Sequence, residues 1–428
     1  MTDLQILDRT NIWHPFTPLQ GADDPLVITS AEGVYLKTAD GRQIIDAISS
    51  WWVNLHGHSH PSIAKAIADQ ATKLEHVIFA GFTHEPAIKL SRNLLSILPP
   101  QITKIFFSDN GSTAVEVALK MTFQYWFNKQ IKKDKVIAIQ GAYHGDTFGA
   151  MSVADRSLFT EPFFPYLFET TFIDFPGPEN EEEVLRQFKQ LVEQKNVGAF
   201  IFEPLVQGAA GMRMYSAPLL DSLISHAREY EVICIADEVF TGFGRTGKNF
   251  AVDYLENKPD IIAVSKGITG GFMPLGVTAC SAKIIAAFDS PDLTKTFFHG
   301  HSYTANPLAC AAANASFELL KDEHCQKRIT DISEKQKQFA ESLSGNKKTA
   351  AVRSLGTLLA IELINDEKTG YENSLRKKIY RYFLDKNILL RPLGNVFYLL
   401  PPYVITDKQL AYIYKTIEDF LSIDPPIR

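Results

Sequence analysis

The stretch IIAVSKGITGG, residues 261–271, runs four apolar residues into a serine and then a lysine, with glycines at 267, 270 and 271. A short apolar run of this kind reads as a strand buried on both faces, the strand type of parallel sheets. A lysine directly after it can simply reach solvent, its stem lying on apolar surface. It acquires a second meaning only if other parts of the chain converge on the same point.

Four further runs of the same character precede it: KIFFS (104–108), KVIAIQ (135–140), GAFIFEP (198–204) and VICIA (232–236). Helical patterns lie between or around them, for example residues 112–129 and 218–231, the latter with Pro218 at a first-turn position. Strand and helix in alternation predict an α/β fold whose mostly parallel sheet is covered on both faces. A long helical stretch begins near Asn306, and the remainder reads helix, strand (TLLAIELI), helix, strand (VFYLL), helix, the pattern of a smaller α+β unit. The N-terminal segment has β-type runs around turn glycines Gly33 and Gly41, and is expected to pack with that C-terminal unit. The expected division is residues 1–50 and 321–428 in a small domain and residues 51–320 in a large one.

The chain has 428 residues, is 45% hydrophobic and carries a formal net charge of -6. That balance argues against a nucleic-acid footprint, which needs a basic face. No apolar run reaches the ~18 residues of a membrane helix, and the N-terminus lacks the pattern of a secretory signal. The cysteines, Cys234, Cys280, Cys310 and Cys325, are scattered without a CxxC pair, which fits a reducing compartment and neither a disulfide framework nor a zinc site. A cytoplasmic protein is the expectation.

In open parallel sheets ligands bind beyond the carboxyl ends of the strands, so the residues after each run are the ones to read. After KIFFS, Gly111 and Ser112 open a helix, whose free N–H groups favour an anion; the plain alternative is an ordinary helix cap. After KVIAIQ comes GAYHGDTFGAMS, with the aromatic Tyr143 in a glycine-rich turn. After VICIA comes Asp237, a carboxylate that needs a partner if buried. After IIAVS comes Lys266. Pyridoxal 5'-phosphate needs all four: an anion site for its phosphate, a face for its ring, a carboxylate to keep its ring nitrogen protonated and an amine for its aldehyde. Lys266 then has a reason to stand at the strand end, with Asp237 at the ring nitrogen, Tyr143 on the ring and Gly111 and Ser112 at the phosphate.

The segments FIFEPLVQGAAGM, IADEVFTGFGRTGK, SKGITGG and TANPLACAAANA, in this order, resemble those of class III, fold type I aminotransferases over nearly the full chain. SSWWVNLHGHSHPS, GAYHGDTFGAMSV, HGHSYTANPLACAAANAS and RPLGNVFYLLPPY make the chain most similar, within that class, to the diaminopelargonate synthases of biotin biosynthesis. The resemblance implies a homodimer with shared active sites that moves an amino group, usually from S-adenosylmethionine, onto 8-amino-7-oxononanoate to give 7,8-diaminononanoate. It implies the roles above for Gly111, Ser112, Tyr143, Asp237 and Lys266. It adds His301 and Ser302 as phosphate contacts across the dimer interface, and Phe16, Trp51, Trp52, Gly300 and Arg391 at substrate positions alongside Tyr143 and Lys266. Aromatics suit an aliphatic chain, and a guanidinium suits its terminal carboxylate. Phe16 stands where many relatives have tyrosine, which keeps a stacking face and loses a hydroxyl. Lysine, which some relatives use, is the alternative donor, and a diamine or ω-amino acid the alternative substrate.

Competing readings attach to several of these residues. Trp51 and Trp52 can be core or interface residues, and in extended chain they would point opposite ways, only one of them into a pocket. Arg391 can be a structural ion pair. HGHSH, residues 56–60, invites a metal reading, but no acidic or thiol ligand lies close in sequence, and no metal site is expected. GFGRTGKN, residues 242–249, nearly fits a nucleotide-binding P-loop, but it ends in Asn249 where a hydroxyl would bind magnesium.

Overall fold

A computed structural model describes residues 2–157, 160–367 and 373–423 of the chain. Its centre is a seven-stranded sheet in the order Ile102–Ser108, Gly276–Ser281, Ile261–Val264, Ile233–Asp237, Val197–Phe202, Lys135–Ile139, Thr171–Ile173. The five strands from Ile261–Val264 outward to Thr171–Ile173 are parallel to one another. Gly276–Ser281 is antiparallel to both strands beside it, so Ile102–Ser108 runs in the same direction as those five. Six strands therefore deliver their carboxyl ends to one edge of the sheet. Gly276–Ser281 and Thr171–Ile173 are short or rich in small residues and carry little apolar signal in the sequence.

The alternation of the strands explains why their sequences are apolar throughout. Side chains of successive residues leave opposite faces. Ile233 and Ile235 join Ala199, Ile201, Val136 and Ala138 under the helix Gly111–Asn128. Cys234 and Ala236 join Phe200, Phe202, Ile137 and Ile139 on the other face, where Val184 and Phe188 of Glu181–Val192 and Leu220 and Ile224 of Ala217–Glu229 cover them. Each buried apolar side chain of this size contributes roughly 1.5–3 kcal/mol. The helices begin at definite signals: Ser216 accepts the Leu219 N–H at 3.3 Å, with Pro218 in the first turn.

The N- and C-terminal parts of the chain meet in one smaller sheet, and the C-terminal part forms another. Ile28–Glu32, Tyr35–Thr38 and Gln43–Asp46 form antiparallel pairs, and Gln43–Asp46 pairs in parallel with Ile388–Leu389. Thr349–Leu355, Leu358–Leu363 and Val396–Leu399 form the other. Among the described residues no helix is long and apolar enough to cross a membrane.

Candidate active site

The collected strand ends line a cavity of about 460 Å³. Asp237 closes its strand and is in register with Ala263 of the next, so Lys266 follows only three residues beyond that pairing. Lys266 sits in a left-handed conformation, φ 42°, that turns its side chain off the strand. Its Nζ lies 4.7 Å from the centre of the Trp52 ring. Burial pushes the Lys266 ammonium down from the usual lysine range, with Asp237 and Glu203 opposing. Gly271, φ 88°, allows the following turn to lie against residues 53–54; a Cβ there would fall 3.0 Å from the Asn54 Cα.

Asp237 is buried, and its Oδ2 accepts a hydrogen bond from His144 Nδ1 at 2.7 Å while Oδ1 accepts the Val239 N–H at 3.0 Å. A carboxylate only accepts, so His144 presents a proton on Nδ1 to Asp237. His144 Nε2 is buried and has no hydrogen-bond partner among the described residues. Tyr143 lines the cavity beside it, and burial together with the nearby Asp146 pushes its phenol up.

At the first strand end the cap is Asn110, whose side chain accepts the Thr113 N–H at 3.0 Å while Thr113 Oγ1 accepts the Asn110 N–H at 3.0 Å. The first two amides of that helix, Gly111 and Ser112, have no intrahelical acceptor and border the cavity. Gly145 presses the neighbouring turn onto this start; a Cβ there would come 2.2 Å from Ser112 Oγ. The site thus offers an amine, a buried carboxylate with its histidine, an aromatic wall and an anion-favouring helix start, the set that pyridoxal phosphate requires.

The paired tryptophans depart from the extended geometry expected of them. Residues 49–52 all have positive φ, from 45° to 78°, at a cost of order 1–3 kcal/mol each. The turn is held from outside: the fully buried Arg245 donates to the Trp52 carbonyl at 3.2 Å, to the Asn54 carbonyl at 3.1 Å and to the Pro401 carbonyl at 3.1 Å. Ser49 Oγ donates to the Leu400 carbonyl at 2.7 Å. This is what the GFGRTGKN loop does here, and no α-helix follows it. Trp52 turns into the cavity, its Nε1 donating to the Tyr398 hydroxyl at 2.9 Å. Trp51 lies outside the lining; the Arg391 guanidinium stacks on it at 4.2 Å and Phe16 meets it edge-on at 5.5 Å.

His301, Ser302 and Gly300 do not line the cavity of the single chain. His301 Nδ1 lies 3.1 Å from Asp109 Oδ2, two residues before Gly111, and His301 Nε2 lies 3.0 Å from His299 Nε2. The histidines of HGHSH separate: His56 bonds Ser316 Oγ at 3.1 Å, His58 bonds Asp46 at 2.9 Å, and His60 caps the helix Pro61–Ala71.

Two site residues go beyond those singled out in the sequence. His144 is one. The other is Glu203, which follows the strand Val197–Phe202 and also lines the cavity. The signal for Glu203 was available, since FIFEP ends an apolar strand on a carboxylate just as VICIAD does.

The family model for class-III aminotransferases matches residues 19–421. An adenosylmethionine-8-amino-7-oxononanoate aminotransferase of Synechococcus elongatus is 48% identical over 420 residues, covering 96% of this chain and 98% of the relative. The crystal structure of an adenosylmethionine-8-amino-7-oxononanoate aminotransferase from Methanocaldococcus jannaschii superposes with a TM-score of 0.91 at 36% identity, covering 97% of this chain and 98% of that one. An amine transaminase from an uncultivated Pseudomonas species, solved in a PLP-bound form, superposes with a TM-score of 0.88 at 27% identity, covering 95% of this chain and 97% of that one. The chain belongs to the class-III aminotransferases and has their fold type I architecture.

Proposed function

We propose that the protein uses pyridoxal 5'-phosphate to transfer an amino group from S-adenosylmethionine to 8-amino-7-oxononanoate, giving 7,8-diaminononanoate for biotin biosynthesis. The observation that carries the reading is the convergence of Lys266 and Asp237, from two paired strand ends, on the one cavity that Tyr143 and the helix start also border. The relatives' shared name supports the substrates. Bound there, the cofactor supplies an electron sink for cleaving the C–H bond beside the transferred nitrogen.

Lys266 would supply the amine for covalent attachment of the cofactor and, as a free base, the group that moves a proton at the substrate carbon. Its lowered proton affinity favours the free base that both tasks need. Asp237 would hold the ring-nitrogen proton by charge, and His144 holds Asp237 in place by donating from Nδ1. Tyr143 would pack on the ring, and the amides of Gly111 and Ser112 would hold the phosphate. In a homodimer each chain would lend its His301 and Ser302 to the other's phosphate site. Trp52 borders the cavity next to Lys266, and Phe16, Trp51, Gly300 and Arg391 would contact substrate as the family resemblance implies.

Arg391 is expected to bind the carboxylate of the keto substrate. Arg391→Ala should raise KM for 8-amino-7-oxononanoate roughly 10- to 100-fold, matching the ~1.5–3 kcal/mol of a hydrogen bond to a charged group. The donor half-reaction should change little. Unaltered keto-substrate affinity would assign Arg391 a structural role beside Trp51.

The donor is tested by mixing the purified yellow protein with single amines and following its absorbance. S-adenosylmethionine should bleach the chromophore and lysine should not; the reverse result overturns the donor. Phe16 offers an aromatic face next to Trp51. Phe16→Ala should slow bleaching by S-adenosylmethionine roughly 2- to 10-fold, in line with the ~0.5–1.5 kcal/mol of an aromatic contact. An unchanged rate would leave Phe16 as packing for the N-terminal segment.

A further inference from the structure

We infer that Glu203 is a positioning residue of this site: it fixes the wall that carries Tyr143, and its charge sets the protonation of the Lys266 nitrogen. The inference rests on the reading of Lys266 given above. Glu203 is 5% exposed and follows directly on a central strand. Its Oε1 accepts the Tyr143 N–H at 3.0 Å and its Oε2 accepts the Gly208 N–H at 2.9 Å. One carboxylate thus ties the loop bearing Tyr143 to the turn that packs on Trp52 and Phe240; a Cβ on Gly208 would sit 3.4 Å from Phe240 and 3.5 Å from Trp52. Backbone to backbone, the two sides of the cavity meet at this side chain.

Its electrostatic setting differs from that of Asp237. Among the described residues Glu203 has no ion pair, whereas Asp237 has His144. The titratable groups that act on it or feel it are His144, Asp237, Tyr143, Lys266, Arg213 and Tyr215, whose hydroxyl donates to the Glu203 carbonyl at 2.6 Å. Burial, with Asp237 adding repulsion, outweighs His144 and the two amides and pushes the Glu203 carboxyl up to about 7. Its charge therefore changes near neutrality, in the same cavity wall as Lys266. An ionised Glu203 favours a protonated lysine nitrogen and a neutral one favours the free base.

Absorbance titration of the holoenzyme tests this, because the lysine-linked cofactor absorbs differently in its protonated and free-base forms. Glu203→Gln should lower the midpoint by about one pH unit. Glu203→Asp, which keeps the charge, should stay within a few tenths of a unit of wild type. An unshifted Glu203→Gln, or an equal shift in Glu203→Asp, overturns the inference. If Glu203→Gln does not hold cofactor, the pH dependence of Lys266 labelling by an amine reagent in the apoproteins reads the same shift, and coincident profiles overturn it. Thermal melts check that Glu203 titrates where stated. A folded pKa raised above the ~4.3 of a free glutamate stabilises below that value, and this is lost as pH rises toward about 7. The melting temperature of Glu203→Gln relative to wild type should therefore increase from pH 5 to pH 8, and a flat difference contradicts the assignment. A wild type lacking any titrating chromophore would instead sink the aminotransferase reading.

Discussion

Lys266→Ala should reduce transamination by at least about 10⁴-fold, since covalent attachment and proton transfer are lost together. The fold should survive. The residue is held at φ 42°, which alanine tolerates no worse than lysine does. The removed ammonium is one that burial already disfavours. The variant should still bind cofactor, weakly and reversibly, and melt within a few degrees of wild type. Single-turnover absorbance with S-adenosylmethionine checks the chemistry, and a melt checks the fold. Turnover within tenfold of wild type would remove Lys266 from the mechanism.

Asp237→Asn should cost turnover about 10²–10³-fold, the range for removing one preorganised electrostatic partner. An amide has nearly the carboxylate's shape but cannot hold a protonated ring nitrogen by charge. A smaller structural cost also follows. If the amide nitrogen faces His144, the histidine must accept at Nδ1 and carry its proton on Nε2, which is buried without a partner among the described residues. If it faces Val239, two donors meet. Either arrangement costs roughly 1–3 kcal/mol. Kinetics and denaturant unfolding on the same preparation separate the two effects. Near-normal turnover with reduced stability would confine Asp237 to a structural part.

The large sheet is legible in the sequence because each of its core strands is apolar on both faces and ends on a residue that is not. KIFFS, KVIAIQ, VICIA and IIAVS mark four ends, and the sheet order brings all four to one cavity. His144 and Glu203 are harder to read for different reasons. His144 meets Asp237 across a strand, Val197–Phe202, that lies between their own. That contact depends on strand order, which local pattern does not carry. Glu203 ends an apolar strand by the same rule as Asp237, but that rule alone does not reveal that its carboxylate ties together the amides of Tyr143 and Gly208. Trp51 and Trp52 look extended in sequence, yet residues 49–52 are left-handed because Arg245 and Ser49 bond distant carbonyls. Tertiary contacts overrule local preference there. The roles of His301 and Ser302 follow from a resemblance that places them across a dimer, that of Gly300 from the same resemblance as a substrate position, and a single chain brings none of the three to its own cavity.

The most direct test of the central claim is to reduce the yellow holoenzyme with borohydride, digest it and map the cofactor label by mass spectrometry. Reduction fixes whichever lysine carries the cofactor. The account predicts one labelled peptide, containing Lys266 at the end of the strand Ile261–Val264. A label on any other lysine, or no fixed label at all, would contradict it.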